Sequence, residues 1–280
     1  MIIDCHTHIF SPRIRENRSD YVRSDPVFAE LYASPKARLI TAPELIDSMD
    51  EAGIDVSVIL NIGWRSLKPC IESNDYILES VARYPERLIG FCAVPTAPSD
   101  SALDEIQRCA GGGIRGVGEI RPDPRVDFRD RESAAPFVEV MKKHHLVLLT
   151  HASEPVGHEY PGKGVLTPGS LYPMIRCLAG LTVICAHWGG GLPFYTLMPE
   201  VKKALKDVYF DTAASPFLYR PEVYQIAARL VGAEKILFGS DHPVLPQKRL
   251  LTEIAALDMD GSAKELIWYG NAARLFGIKA

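Results

Sequence analysis

The chain has 280 residues, a length that fits one closed α/β barrel with a sizeable hydrophobic core. Hydrophobic residues make up 47% of it, and the net charge of −4 gives no general attraction for nucleic acid or anionic membranes. No apolar run approaches the ~20 residues that a membrane-spanning helix needs.

Eight short apolar runs rich in β-branched residues recur along the chain, each ending near a polar or small residue. Nearly continuous hydrophobicity is typical of parallel strands that are buried on both faces of a sheet. The runs are IIDCHTH (2–8), IDVSVIL (54–60), RLIGFCAV (87–94), IRGVGEI (114–120), HLVLLTH (145–151), LTVICAH (181–187), VYFDT (208–212) and KILFGSD (235–241).

Amphipathic helical patterns separate these runs. The first predicted helix begins at Pro43, a residue suited to a first helical turn, and stops at Gly53. The predicted helices span residues 43–52, 74–84, 100–110, 133–143, 221–231 and 263–276. Strand and helix alternate in even units without a nucleotide-binding glycine loop. This pattern predicts a single-domain (β/α)₈ TIM barrel over residues 1–280 rather than an open doubly wound sheet.

Two long connections interrupt the alternation. Residues 10–42 are polar and charged, and we interpret them as a long loop over the barrel mouth. Residues 152–168 form the second connection and contain His158 and Tyr160. Long connections in compact domains are usually functional or disordered, and we predict that both border the active site. For His158 and Tyr160 we favour a mobile surface loop, with contact to the barrel mouth as the alternative.

The first strand carries a candidate metal-binding pair. Side chains two apart on a strand share a face, which groups Asp4, His6 and His8. Two imidazoles at the end of one barrel strand can reach one cation, and imidazole suits Zn²⁺, Fe²⁺ or Mn²⁺. The pair alone is a weak signal, because surface and core histidines also produce it.

Further polar residues lie at the ends of other predicted strands. Glu119 is near the end of the fourth, and His151, His187 and Asp241 end the fifth, sixth and eighth. The C-terminal ends of all strands in such a barrel converge on the face that carries the active site. Four histidines and two acids therefore predict a metal centre there, and unrelated buried polar groups are the alternative.

These segments resemble the amidohydrolase superfamily, in particular the branch that includes aminocarboxymuconate-semialdehyde decarboxylase and several lactonases. The resemblance covers essentially the whole chain, in the family's motif order. It rests on DCHTH (4–8), TH (150–151), AHWGGG (186–191), YFDTAA (209–214) and FGSDHP (238–243). It implies one metal ion held by His6, His8, His151 and Asp241. It also implies that His187 touches the metal-bound water or the substrate.

The fourth run adds a second resemblance. VGEIRPD (117–123) is similar to the GEIGLD segment of TatD-type deoxyribonucleases, whose glutamate bridges two metals. If Glu119 did so here, His151 and His187 would hold a second ion. The bridging lysine of binuclear relatives is absent from this run. We therefore predict one divalent ion, preferably Zn²⁺, with two as the alternative. Glu119 is then an extra ligand or a partner of the ligands.

The predicted centre is suited to hydrolysis, because a divalent cation lowers the pKa of bound water from about 15.7 toward ~7. Asp241 could accept the water proton and return it to the leaving group, while His187 polarises the scissile carbonyl. We predict a hydrolase that cleaves an amide, lactone or ester of a small anionic molecule. The alternatives are a non-oxidative decarboxylase of the same fold, a TatD-type nuclease and a non-catalytic metal-binding barrel.

Three residues are candidates for substrate binding: Arg121, Trp188 and His158. Arg121 lies two residues beyond Glu119 and could bind a substrate carboxylate through two hydrogen bonds; a salt bridge elsewhere is the alternative. Trp188 could wall the pocket or pack between a loop and a helix. We expect a small-molecule substrate, and a homo-oligomer is possible. Because the six cysteines form no CxxC pair, we also expect a cytoplasmic location.

Overall fold

The computed structural model describes residues 1–95, 99–123, 128 and 130–279. Within these ranges, eight parallel strands follow one another in chain order, and each is hydrogen-bonded to the next. All eight coincide with the apolar runs of the sequence, which confirms the predicted (β/α)₈ barrel. The strands are β1 (Ile3–His8), β2 (Val56–Leu60), β3 (Leu88–Cys92), β4 (Gly116–Ile120), β5 (Val147–Thr150), β6 (Val183–Cys185), β7 (Val208–Asp211) and β8 (Ile236–Leu237).

The barrel is closed between β1 and the segment that follows β8. The backbone N–H of Asp241 donates to the carbonyl of His6 at 2.9 Å, and that of His8 donates to the carbonyl of His242 at 2.7 Å. These bonds hold the DCHTH segment (4–8) beside the FGSDHP segment (238–243).

Helices surround the strands. Five of the six predicted helices are found as single helices with at least one shifted end, and the sixth, 263–276, is divided into two short helices separated by a π-helical turn. The described helices are α1 (Pro12–Glu16), α2 (Arg18–Ser24), α3 (Pro26–Tyr32), α4 (Ala42–Ala52), α5 (Leu67–Arg83), α6 (Asp100–Gly111), α7 (Arg131–Lys143), α8 (Pro168–Cys177), α9 (Pro199–Ala204), α10 (Ser215–Leu218), α11 (Glu222–Val231), α12 (Gln247–Ala256), α13 (Gly261–Glu265) and α14 (Asn271–Phe276). The segments His187–Leu197 and Ala233–Lys235 are 3₁₀-helical, and Leu266–Gly270 is a π-helical turn. Among the described residues, no helix is both long and apolar enough to cross a membrane.

Local signals explain where helix α4 begins and ends. At its start, the backbone N–H of Thr41 donates to the Glu44 carboxylate at 2.8 Å, which satisfies a backbone donor that the helix itself leaves free. At its end, Gly53 takes a left-handed conformation with φ of 74°. The predicted stop at Gly53 is therefore confirmed, because this backbone shape costs glycine little.

Residues 10–42 differ from the long loop expected from their polar composition, because they contain α1, α2 and α3. Helix α3 begins after Asp25, whose carboxylate accepts the N–H of Phe28 at 3.0 Å. Phe28 stacks on Trp64 with ring centroids 5.1 Å apart, and Tyr32 lies one helical turn later on the same side. Packing of the apolar side of helix α3 is therefore enough to hold the 10–42 segment against the rest of the protein. The charged side chains on the other side of the helix stay in solvent.

The N-terminal end of the barrel is closed by apolar packing. Ile3, Val58 and Ile184 belong to one buried cluster together with Phe276 of the last helix, α14. Arg115, which precedes β4, donates to the carbonyl of Phe276 at 2.8 Å. Apolar side chains thus fill the barrel interior at this end, and active sites of such barrels lie at the opposite, C-terminal end.

Candidate metal centre

Polar side chains from the ends of five strands meet at the C-terminal face of the barrel. None of the six is more than 8% exposed. They are His6 and His8 from β1, Glu119 from β4, and His151, His187 and Asp241 from the residues after β5, β6 and β8. The structure therefore brings together the six residues that the sequence expected to converge.

The first group of candidate ligands joins the two ends of the barrel. His6 Nε2 and His8 Nε2 are 3.0 Å apart, and Asp241 Oδ1 lies 3.6 Å and 3.3 Å from them. Two nitrogen atoms and a carboxylate oxygen that face one point need a proton or a cation between them. Imidazole and carboxylate donors in this arrangement fit a divalent cation such as Zn²⁺, Mn²⁺ or Fe²⁺.

Asp211 sets the orientation of His6, and the sequence analysis did not identify this role. Its carboxylate lies 2.8 Å from His6 Nδ1 and also accepts the backbone N–H of His187 at 2.9 Å. A carboxylate can only accept, so His6 Nδ1 carries the proton and Nε2 is left for the metal centre. Asp211 is the last residue of β7. Its position at the C-terminal end of a strand is the same signal that identified His151, so the sequence could have identified Asp211 as well.

Asp4 does not share the face of His6 and His8, contrary to simple strand alternation. The pairing of β1 with β2 shifts register after Asp4, so the alternation is broken there. The Asp4 carboxylate instead accepts the Ser240 hydroxyl at 2.6 Å. Burial raises the pKa of Asp4 to about 6 against the opposing effect of its hydrogen bonds. Asp4 therefore fastens β1 to the segment that leads into Asp241.

The second group of candidate ligands surrounds Glu119. Glu119 Oε1 lies 2.9 Å from His151 Nδ1 and 3.5 Å from His187 Nε2. The other ring nitrogens are already engaged, since His151 Nε2 lies 3.0 Å from the Ser153 hydroxyl and His187 Nδ1 lies 3.1 Å from the Ala213 carbonyl. One nitrogen of each ring is therefore directed at the carboxylate.

A left-handed backbone segment carries the chain from β6 past the centre. Trp188 and three glycines after His187 have positive φ values, and His187 itself has φ of 54°. A Cβ on Gly190 would lie 2.1 Å from the carbonyl oxygen of Ser153. The AHWGGG glycines thus permit a tight turn and a close approach to the 152–168 connection. Asp241 also has a positive φ, 64°, so two site residues hold a conformation that L side chains rarely adopt.

The buried carboxylates of the centre raise the pKa of two neighbouring histidines. Burial lowers the pKa of His6, but the Asp211 carboxylate more than compensates and raises it to about 10. Burial likewise opposes the charged form of His187, while the hydrogen bond to Glu119 raises its pKa to about 9. Burial and the nearby Arg121 lower the pKa of His151 to about 4. A cation bound here would take the place of protons on the imidazoles.

A cavity of about 370 Å³ opens above the candidate ligands, which is within the size range of small-molecule sites. Its polar floor includes His8, Glu119, His151, His187 and Asp241. Both long connections contribute to its walls, and much of the remaining lining is apolar. These wall residues are Leu31, Tyr32, Ile62, His158, Tyr160, Pro161, Gly162, Ala214, Phe217, Leu218 and Val244.

Arg121 lines the same cavity and links it to both connections. Its Nη2 donates to the Gly162 carbonyl at 2.6 Å and lies 3.9 Å from the Glu30 carboxylate. Glu30 in turn accepts the N–H of Gly162 at 3.1 Å. The guanidinium is thus held at the cavity wall, where an anionic group could reach it.

The structure does not support a substrate contact for Trp188. Its ring is fully buried, packs edge-on against Tyr224 with centroids 5.1 Å apart, and donates its indole N–H to the Ser215 hydroxyl. The left-handed turn directs the ring into the protein interior, away from the cavity. The predicted pocket wall is corrected to core packing, which was the stated alternative. His158 does line the cavity.

Comparison with known proteins identifies the family. Residues 3–278 match the family model described as Amidohydrolase. The chain is 22% identical over 331 residues to 2-amino-3-carboxymuconate-6-semialdehyde decarboxylase of Dictyostelium discoideum, covering 99% of this chain and 91% of that protein. It is 22% identical over 281 residues to gamma-resorcylate decarboxylase of Polaromonas sp., covering 82% of this chain and 85% of the relative.

A solved structure shows the same fold. The 5-carboxyvanillate decarboxylase of Novosphingobium aromaticivorans, in complex with manganese and 4-hydroxy-3-methoxy-5-nitrobenzoic acid, superimposes with a TM-score of 0.79. It is 17% identical, and the match covers 99% of this chain and 96% of that one. That neighbour contains manganese, and for the present chain the divalent cation and its identity, zinc included, stay a prediction.

These relatives correct the predicted activity. They are named as decarboxylases and not as hydrolases, so the hydrolase prediction is wrong and the decarboxylase alternative fits better. The two reactions share a metal-binding barrel, and the strand-end motifs do not distinguish them. Because the family model spans nearly the whole chain, this protein belongs to the amidohydrolase family and is an enzyme of that superfamily.

Proposed function

We propose that this protein is a metal-dependent, non-oxidative decarboxylase of a small aromatic or conjugated carboxylic acid. The observation that carries the proposal is the position of Arg121. The guanidinium lines the same 370 Å³ cavity as His8 and Asp241, so a cation-binding group and an anion-binding group face one small-molecule space. The relatives of known activity act on substrates that carry a carboxylate, as their names state.

His6, His8 and Asp241 are the residues that would hold a divalent cation, for which manganese and zinc are the leading candidates. When bound, such a cation stabilises negative charge on substrate oxygens while the bond to the carboxylate carbon breaks. Asp211 keeps His6 Nε2 directed at the centre through its bond to Nδ1. His187 faces the same cavity, where its ring can reach a substrate oxygen.

The cavity walls would orient the substrate. Arg121 is placed to bind an anionic oxygen, because its guanidinium offers several N–H donors in one plane. The apolar side chains of Ile62, Phe217 and Val244 would pack against a flat ring and keep water from it. Of these three, Phe217 and Val244 are about half exposed in the free protein, so a ring could reach them from solvent.

Asp241 is the candidate proton carrier. Burial opposes its charged form, but the hydrogen bond to His8 and the charges of His6 and His187 lower the pKa of Asp241. The carboxylate is therefore ionised in the free protein and can accept an acidic proton from the substrate. It then delivers this proton to the ring carbon, which keeps the electron pair of the breaking C–C bond as CO₂ leaves.

A direct test uses the substrates named for the relatives. Metal-free protein is loaded with Mn²⁺ and incubated with gamma-resorcylate, 5-carboxyvanillate or 2-amino-3-carboxymuconate 6-semialdehyde, and CO₂ release is followed. We expect release with at least one of them, and in D₂O we expect one deuterium at the carbon that lost CO₂. Protein treated with a chelator serves as the control.

Two outcomes would count against a decarboxylase. One is cleavage of esters or lactones by the loaded protein without CO₂ from any of these acids. The other is equal CO₂ release before and after removal of the metal. A His8→Gln variant adds a check that does not depend on chelators, because it removes one of the candidate metal ligands.

A further inference from the structure

We propose that Tyr32 is a specificity-determining residue, whose hydroxyl donates a hydrogen bond to an uncharged oxygen of the substrate. The inference rests on the proposed function for the presence of a substrate in the 370 Å³ cavity. It adds a third polar contact to those of the cation and of Arg121. This contact would favour acids that also carry a hydroxyl, methoxy or carbonyl oxygen.

Tyr32 is a buried residue in the wall of this cavity and the last residue of helix α3. Only 6% of it is exposed. Its ring lies edge-on to the Phe10 ring, with centroids 4.9 Å apart, and 5.1 Å from the centroid of the Phe28 ring. Close packing against two aromatic rings leaves the Tyr32 ring little freedom to move. The hydroxyl is therefore held in one place.

The hydroxyl of Tyr32 lacks a partner within the protein. Across residues 1–95, 99–123, 128 and 130–279, no group forms a hydrogen bond with it. It is also not one of the fully buried polar atoms without a partner, so it reaches the open space of the cavity. Buried phenols usually find a partner, as Tyr160 of the same cavity does by donating to Glu154 at 3.1 Å. A ligand in the cavity can supply the partner that Tyr32 lacks.

The residues before Tyr32 fix the end of helix α3 against the 152–168 connection. The Glu30 carboxylate accepts the backbone N–H of Gly162 at 3.1 Å. Leu31 packs so closely on Gly162 that a Cβ on this glycine would lie 2.6 Å from Leu31 Cδ2. The backbone that carries Tyr32 is thus positioned before any ligand binds. A donor that is already in place costs little conformational entropy when it forms its hydrogen bond.

The charges around Tyr32 determine which kind of oxygen it suits. Burial raises the pKa of the Tyr32 hydroxyl above its ordinary value of about 10, and the carboxylates of Asp241 and Glu119 raise it further. The hydroxyl therefore keeps its proton and is a neutral donor. Because these carboxylates repel another negative charge, an uncharged substrate oxygen fits beside Tyr32. The anionic oxygens of the substrate fit the cation and Arg121 instead.

Such a donor discriminates between acids of similar shape. A substrate oxygen beside Tyr32 would accept its hydrogen bond, whereas an acid without that oxygen would cover the hydroxyl and leave it without a partner. Leaving a polar group unpaired in a filled cavity weakens binding of the second acid. Tyr32 would therefore act on the choice of substrate, while the cation and Asp241 act on the breaking bond.

The experiment measures the binding of two acids that differ only in their ring oxygens. Gamma-resorcylate carries a hydroxyl on each side of its carboxylate, and benzoate carries none. Each is mixed with Mn²⁺-loaded protein, and binding is read from tryptophan fluorescence in the first milliseconds, before CO₂ release can affect the value. Tyr32→Phe keeps the ring and removes only the hydroxyl. We expect Kd for gamma-resorcylate to rise roughly fivefold, as for one neutral hydrogen bond, and Kd for benzoate to stay unchanged.

Tyr21→Phe is the matched control. Tyr21 belongs to the same 10–42 segment, and its ring centroid lies 5.8 Å from that of Phe28, but its hydroxyl donates to Glu72 at 2.7 Å. Both dissociation constants should be unchanged in this variant. An equal change for the two acids in Tyr32→Phe, or no change for either, would overturn the proposal. Failure of gamma-resorcylate to bind the unaltered protein would overturn it as well.

Binding and CO₂ release separate this inference from the proposed function. A rise in Kd confined to gamma-resorcylate, without CO₂ release from any of the three acids, would support the Tyr32 contact and remove the decarboxylase. CO₂ release together with the same Kd in Tyr32→Phe and in the unaltered protein would keep the decarboxylase and remove the contact.

Discussion

The two halves of the metal centre are held in place by different parts of the fold. In the β1–β8 half (His6, His8 and Asp241), the Asp241 N–H is bonded to the His6 carbonyl as part of barrel closure. A strand-end carboxylate, Asp211, also fixes the ring of His6. The positions in this half therefore follow from the strands themselves.

The β4–β6 half (Glu119, His151 and His187) depends partly on a connection outside the barrel. The Ser153 hydroxyl that contacts His151 is itself held by the N–H of Gly164, in the 152–168 connection. A hydrogen bond from a connecting segment opens more easily than a strand ladder. We therefore expect the side chains of the β1–β8 half to be held more rigidly, and we expect changes in the connection to act mainly on the other half.

The largest expected effect tests the proton carrier in the β1–β8 half. Asp241→Asn keeps the shape and one oxygen donor but cannot carry the proton. We expect kcat for CO₂ release to fall by ~10²–10⁴-fold, the usual contribution of a general acid or base. The measurement is CO₂ release at saturating substrate, with bound metal counted on the same samples. Near-normal kcat in a metal-loaded variant would exclude Asp241 from this role.

The next effect tests how the β1–β8 half is oriented. Asp211→Asn should let the ring of His6 take the wrong tautomer, since an amide can donate where the carboxylate only accepts. We expect metal affinity to fall by ~10–100-fold, as is typical for partners that orient metal ligands. Competition with a fluorescent chelator gives the dissociation constants. Asp207→Asn is the control, because Asp207 precedes β7 and is paired with Lys206 at the surface. An equal loss in both variants would contradict the role of Asp211.

A somewhat smaller effect is expected at the cavity wall beside the β4–β6 half. Arg121→Lys keeps the positive charge but loses the planar pair of donors, so a carboxylate is bound less well. We expect KM to rise about tenfold, which corresponds to the ~1.4 kcal/mol range of one charged hydrogen bond. We expect kcat to change less. Steady-state kinetics at several substrate concentrations separates the two. A fall in kcat at constant KM would place Arg121 in the chemical step instead.

Much of the β1–β8 half could be predicted from the sequence. His6 and His8 stand in one strand, and Asp241 ends the apolar run 235–241 that contains β8. Because the C-terminal ends of all barrel strands converge on one face, these positions are enough to bring the three residues together. The helices of the 10–42 segment could not be predicted as easily. Their stability comes from aromatic packing such as that of Phe28 on Trp64, between residues far apart in the chain.

The orientation of side chains was the part that the sequence did not specify. Asp4 was expected beside His6 because strands alternate, but a register shift after Asp4 turned it toward Ser240. Trp188 was a candidate wall residue, and the left-handed backbone buried it instead. Register shifts and positive φ values arise from contacts between distant segments, so a strand pattern alone does not report them.

The smallest expected effect tests the dependence of the β4–β6 half on the connection. Ser153→Ala removes one hydrogen bond to His151 without touching the strands. His151 lines the cavity floor, and a neutral hydrogen bond contributes about 1 kcal/mol, so kcat/KM for CO₂ release should fall roughly fivefold. The affinity for Mn²⁺, which His6, His8 and Asp241 would hold, should stay unchanged, and a Mn²⁺ titration measures it. Ser170→Ala, at the end of the same region and bonded to Thr167, is the control. If the Mn²⁺ affinity fell as far as kcat/KM in Ser153→Ala, the two halves would be one cooperative unit, and the difference between side chains held by strands and side chains held by the connection would not stand.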